Sequence, residues 1–267
     1  MKVLRVLLYC LIGGLCLAAM TPASSGFLWR WLAGILFTAA FVPVAVLGPR
    51  RPAAQFGVVF AALALVTVLC LWSEAFFFMP AAASQASPVR DLLGGGAIYA
   101  IFAAALAALA YVLKLTHADG PEAKLYPIPK VALRIAVCAV IYMVAYLVFG
   151  GITYQFFTRQ YYPDAPAMVQ KLGLWFWAIQ FARGVLMTLG VLPAIRTLRM
   201  SRLETAVAAG LMLWLIGGAA PLVAPNPLMV PTQRLIHTVE ILTQNFTLGF
   251  AAAILLRAKS QPLAILD

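Results

Sequence analysis

Apolar residues in this chain come in long unbroken blocks separated by short polar connections. Eight blocks run from Val3 to Met20, Phe27 to Leu47, Phe56 to Pro80, Leu92 to Leu113, Val131 to Ile152, Leu174 to Ile195, Glu204 to Val223 and Gln233 to Leu256. Each approaches or exceeds the roughly 20 residues with which a helix rising about 1.5 Å per residue crosses the hydrocarbon of a bilayer. Stretches such as "AIYAIFAAALAALAYVL" lack the apolar-polar alternation of a barrel strand. The pattern therefore predicts an all-α fold, a polytopic transmembrane helical bundle of about eight spans forming a single domain.

Two connections are long. The first, "KLTHADGPEAKLYPIPK", carries Gly120, Pro121, Pro127 and Pro129 and divides the chain into possible halves, 1–115 and 130–267. The second, "TYQFFTRQYYPDAPAMVQKLG", is polar and aromatic together, which fits an interfacial helix or a lid over the bundle. Other aromatic residues near the same boundary, Trp29, Trp31 and Trp72 among them, read as an interfacial belt.

Composition excludes a soluble domain: 64% of residues are apolar and 10% charged, where soluble domains carry about a quarter charged. With the N-terminus inside, inner segments hold twelve Lys and Arg and outer loops hold three, Arg90, Arg159 and Lys171. This positive-inside bias predicts cytoplasmic termini and a multi-pass protein of a cell membrane, most simply a bacterial cytoplasmic one. The formal charge of +11 then reads as contact with anionic lipids on the cytoplasmic side, with no nucleic-acid footprint. "MKVLRVLLYCLIGGLCLAAMTPASS" resembles a cleavable signal peptide, but the alternation of basic loops is unbroken only when this span is kept.

Cys10, Cys16, Cys70 and Cys138 fall inside predicted spans without a CxxC, which argues against disulfides or a thiolate zinc site. Two histidines, His117 in an inner loop and His237, do not make a bis-His haem site, and the sequence names no cofactor. The small residues of "LLGGGAIYAIFAAALAALA" and Gly210, Gly217 and Gly218 predict close helix approaches. Pro221, Pro225 and Pro227 end the seventh span in a stiff turn.

The last span departs from the apolar pattern. At 100° per residue, Gln233, His237, Glu240, Gln244 and Thr247 share one face, opposite Leu235, Val239, Leu242, Phe246 and Phe250. Arg234, Thr238 and Asn245 form an adjoining row. Because an unpaired ionisable group facing lipid costs about 2.5 to 3.5 kcal/mol, this stripe is expected to face other helices or water. Arg183 and Gln180 of the sixth span and Glu74 of the third lie in the same outer half. Arg183 is the natural fork for a carboxylate, with Glu240 and Glu74 as candidates, whereas Arg30 is placed to snorkel outward.

Such a network either fixes helix register or lines a functional pocket. The leading expectation is a pocket formed by Arg183, Glu74, His237, Glu240, Gln244, Arg234 and Gln180. It would bind or move a small-molecule or lipid ligand, with Arg183 and Arg234 holding an anionic group. A second reading is an intramembrane hydrolase or transferase using His237 and Glu240, as base and orienting acid or as metal ligands with Glu74. A third is a non-catalytic subunit whose stripe meets another membrane chain.

Overall fold

Each apolar block folds as a helix, the conformation in which a backbone satisfies its own hydrogen bonds internally. The computed structural model describes residues 2–21, 26–78, 87–116, 123–225 and 229–258; Pro80, His117, Gly120, Pro121, Pro227 and Lys259 lie outside the described residues. The helices are α1 Lys2–Met20, α2 Phe27–Leu47, α3 Pro52–Phe77, α4 Val89–Val112, α5 Ile128–Thr158, the short α6 Ala165–Leu172, α7 Leu174–Thr197, α8 Arg202–Val223 and α9 Pro231–Leu256. All but α6, eight among the described residues, are long and apolar enough to cross a membrane. No strand occurs among the described residues.

Helix ends follow local chemistry. Proline stands in the first turn of α3, α5, α6 and α9, where its missing N–H costs no helical bond. Ser201 and Glu204 form a reciprocal capping box at the start of α8. At the other ends arginines donate to carbonyls that have no helical partner. Arg30 donates to Ala18 of α1 and to Thr21 just past its end at 2.8 and 2.6 Å, and Arg134 and Arg202 reach Leu255 and Ile254 of α9. One end of the bundle gathers the basic residues, because the Arg199 amide donates to Leu47 at 3.0 Å and the Ala258 amide to Lys124 at 2.9 Å.

The most buried spans are α7 and α8. At the α8–α9 seam a Cβ on Gly249 would lie 2.4 Å from the Ala209 carbonyl oxygen, and one on Gly210 would lie 2.7 Å from Phe246. Only glycine permits that separation, in which van der Waals contact between backbones holds the helices. In α4 the expected close approach comes from the alanines of the stretch and not from its glycines: Gly94 and Gly96 have nothing within 4 Å, and Gly95 touches only Val68. There the buried alanines Ala103 and Ala110, with Phe102 and Leu106, make the packed face.

Two departures shape the site. The fifth span continues six residues beyond its predicted end at Ile152, to Thr158, through a wide π-helical turn over Tyr154–Thr158. The second long connection then forms α6. Its Ala165, Met168, Val169 and Leu172 are partly covered while Pro166, Ala167, Gln170 and Lys171 are exposed, the i, i+3, i+4, i+7 pattern of a helix lying on a surface. Gly173, at φ +53°, supplies the left-handed residue that turns α6 into α7.

Candidate functional site

Two more π-helical stretches, Leu63–Cys70 in α3 and Leu215–Ala219 in α8, face each other beside the polar stripe of α9. Where the ladder shifts from i−4 to i−5, carbonyls are left short of partners, and neighbouring side chains take them up. Thr67 donates to the Ile216 carbonyl at 3.0 Å and Asn245 Nδ2 to the Leu213 carbonyl at 3.1 Å. Gly217 sits in the widened turn, where a Cβ would come within 2.7 Å of Asn245 Nδ2. These bonds lock α3, α8 and α9 together just below Glu74 and Glu240.

Arg183 projects from α7 with its side chain 7% exposed, and its Nη2 donates to Glu74 Oε2 at 2.7 Å. Its Nη1 donates to Gln180 Oε1 at 3.1 Å, and the Tyr142 ring lies 5.9 Å away. Among the described residues, Arg183 Nε and Gln180 Nε2 have no hydrogen-bond partner.

The second array runs along α9. His237 Nδ1 lies 2.9 Å from Glu240 Oε2, and His237 Nε2 lies 3.0 Å from the Tyr162 hydroxyl. Gln244 Nε2 donates to the other Glu240 oxygen at 3.0 Å. Burial raises the Tyr162 phenol above its ordinary range, which a hydrogen bond with Gln233 opposes and the Glu74 and Glu240 charges reinforce. With the phenol donating to Nε2, a neutral imidazole carries its hydrogen on Nδ1, where Glu240 accepts it. The result is a carboxylate–imidazole–hydroxyl chain with the order that activates a hydroxyl toward transfer chemistry.

Both arrays border one cavity of about 650 Å³ between α3, α5, α8 and α9, covered on one side by α6. Leu71, Leu147, Met168, Val169, Phe176 and Leu222 make most of its wall apolar, while Glu74, His237 and Glu240 stand together at its inner end. A smaller chamber of about 70 Å³ continues inward past the same three residues to Arg183, Gln244 and Asn245. Gly150 of α5 opens the space beside Glu240, since a Cβ there would lie 3.2 Å from Glu240 Oε1.

Of the residues expected to form a pocket, Glu74, His237 and Glu240 line the cavity, Arg183 and Gln244 line the chamber behind it, and Gln180 braces Arg183. Arg234 does not join them: its Nη1 caps the end of α8 at the Leu222 and Val223 carbonyls, 3.3 and 3.2 Å away. The expected pair of anion-holding arginines is therefore not assembled, because helix-end carbonyls engage one and Glu74 the other. Nor do His237, Glu240 and Glu74 converge as a ligand triad, since no group of three His, Cys, Asp or Glu suited to a metal occurs among the described residues.

Tyr162 and Tyr146 are site residues that the sequence pattern does not single out. Tyr162 reads there as one ring of an aromatic belt, and its partner His237 is 75 residues away. Comparison with protein families, with curated proteins and with solved structures finds no match to this chain.

Proposed function

We propose that this chain is an integral membrane protein whose cavity binds a small amphiphilic molecule, with the polar head at Glu74, His237 and Glu240 and the apolar body under α6. The supporting observation is the lining of the cavity itself, about 650 Å³ with mostly apolar walls into which Glu74, His237 and Glu240 bring carboxylates and an imidazole. Its volume lies within the roughly 300 to 1,000 Å³ of small-molecule sites. The basic end faces the cytoplasm and its anionic lipids, with the cavity in the outer half. The setting is a cell membrane, most simply a bacterial one.

The test is extraction of purified protein in nonionic detergent, followed by mass spectrometry of small molecules that co-purify. Wild-type protein carries an amphiphile near one equivalent. Gly150→Phe, which fills the space beside Glu240, loses it while remaining monodisperse; equal retention by the variant rejects the cavity as the site.

One observation favours a second reading, an intramembrane hydrolase or transferase. The Glu240–His237–Tyr162 chain orients an imidazole at the edge of the cavity. In that reading His237 Nε2 accepts a proton from an attacking hydroxyl or water that displaces Tyr162. Turnover of a membrane-embedded ester abolished by His237→Ala would favour it over binding alone.

A further inference from the structure

The charge inventory of the cavity, taken with the proposed amphiphile site on which this inference rests, specifies the head group. Glu74 is neutralised by Arg183 at 2.7 Å, and Arg234 is engaged at the end of α8. Glu240 has His237 and Gln244 as its hydrogen-bond partners, and no Lys or Arg stands among the described residues that line the cavity. The cavity lining then holds two carboxylates against one guanidinium, which lies in the chamber behind them.

A carboxylate at this depth is costly without a cation, because few water dipoles are present to replace one. An anionic head group would add a like charge beside Glu240. An ammonium would supply the missing counter-charge and at least one charge-assisted bond. Tyr146, Tyr154 and Tyr162 line the same cavity, and aromatic rings attract ammonium groups through their quadrupole. We infer that the site selects amphiphiles with a cationic amine head, held by Glu240, over anionic and neutral ones of the same tail.

Dodecylamine, dodecanol and dodecanoate share one tail and differ in head-group charge, so they serve as probes. The full chain in nonionic detergent is mixed with each at equal mole fraction and adducts are counted by native mass spectrometry. Wild-type protein should take up dodecylamine at least about tenfold more than the other two, the weight of one bond to a charged group. Glu240→Gln, nearly isosteric, should reduce the amine to the level of dodecanol. Gln244→Lys, which puts an ammonium at the position whose amide nitrogen lies 3.0 Å from Glu240 in the wild type, should do the same and guards against misfolding of the first variant. Gly151→Phe, at a cavity position where a Cβ meets nothing within 4 Å, should remove all three probes. Preference for dodecanoate or dodecanol, or an amine preference that survives both charge variants, overturns the cationic assignment and leaves the cavity reading standing. Binding of all three that persists in Gly151→Phe, or no binding of any, overturns both.

Discussion

Arg183 on α7 and Glu74 on α3, 109 residues apart in sequence, form a 2.7 Å ion pair at the inner end of the cavity. That pairing decides the electrostatics of the site, since it engages the guanidinium that, among the described residues, lines the chamber behind the cavity, and leaves Glu240 to an imidazole and an amide.

Loss of one partner should therefore cost more than loss of both. Glu74→Ala leaves a buried guanidinium without its counter-ion and is expected to destabilise the fold by about 3 to 5 kcal/mol, whereas Glu74→Leu with Arg183→Met should recover most of it. Thermal unfolding in a fixed detergent measures both, and an unchanged melting temperature for Glu74→Ala would show that the pair contributes little.

The tautomer of His237 is a direct consequence of the Glu240–His237–Tyr162 chain. Nitrogen NMR of labelled histidine should show the neutral ring protonated at Nδ1. Tyr162→Phe removes one hydrogen bond, about 1 kcal/mol, and should shift the Nε2 resonance alone; a ring protonated at Nε2 in the wild type contradicts the geometry.

Tyr162 also makes a pH-dependent contribution. Its folded phenol titrates above the ordinary value, so the folded state holds the proton more tightly than the unfolded one. The sign follows from linkage: stability of wild type relative to Tyr162→Phe should be constant below about pH 10 and decline as pH rises beyond it. A difference that grows with alkaline pH would reverse the assigned burial effect.

Glycine positions should separate sharply by contact. Gly249→Ala at the α8–α9 seam meets the Ala209 carbonyl oxygen at 2.4 Å and should cost about 1 to 3 kcal/mol through overpacking. Gly94→Ala and Gly96→Ala, with open space around them, should be neutral or gain up to about 1 kcal/mol in helix propensity. Size-exclusion profiles and melting temperatures compare them.

No residue of α6 is fully buried, so its contribution is to cover the cavity more than to hold the bundle. Replacing 165–172 by a Gly/Ser linker should speed ligand dissociation, about tenfold for each 1.4 kcal/mol of lost cover, with little change in unfolding. Stopped-flow displacement of a fluorescent amphiphile reads the rate, and an unchanged rate would confine α6 to an interfacial role.

Hydropathy alone determined the eight apolar helices and most of their boundaries to within two residues, because a long apolar run satisfies its backbone hydrogen bonds within a helix. The periodicity of α9 likewise determined which face carries His237, Glu240 and Gln244. Pairing was a different matter. That Arg183 meets Glu74 and leaves Glu240 to His237, that Arg234 caps α8, and that Tyr162 closes the chain on the imidazole depend on helix rotations and neighbours. Those are set by glycine contacts and π-helical turns distributed over the whole bundle, and no local spacing encodes them. The charge balance of the cavity is a sum over such pairings, so only the tertiary structure decided it.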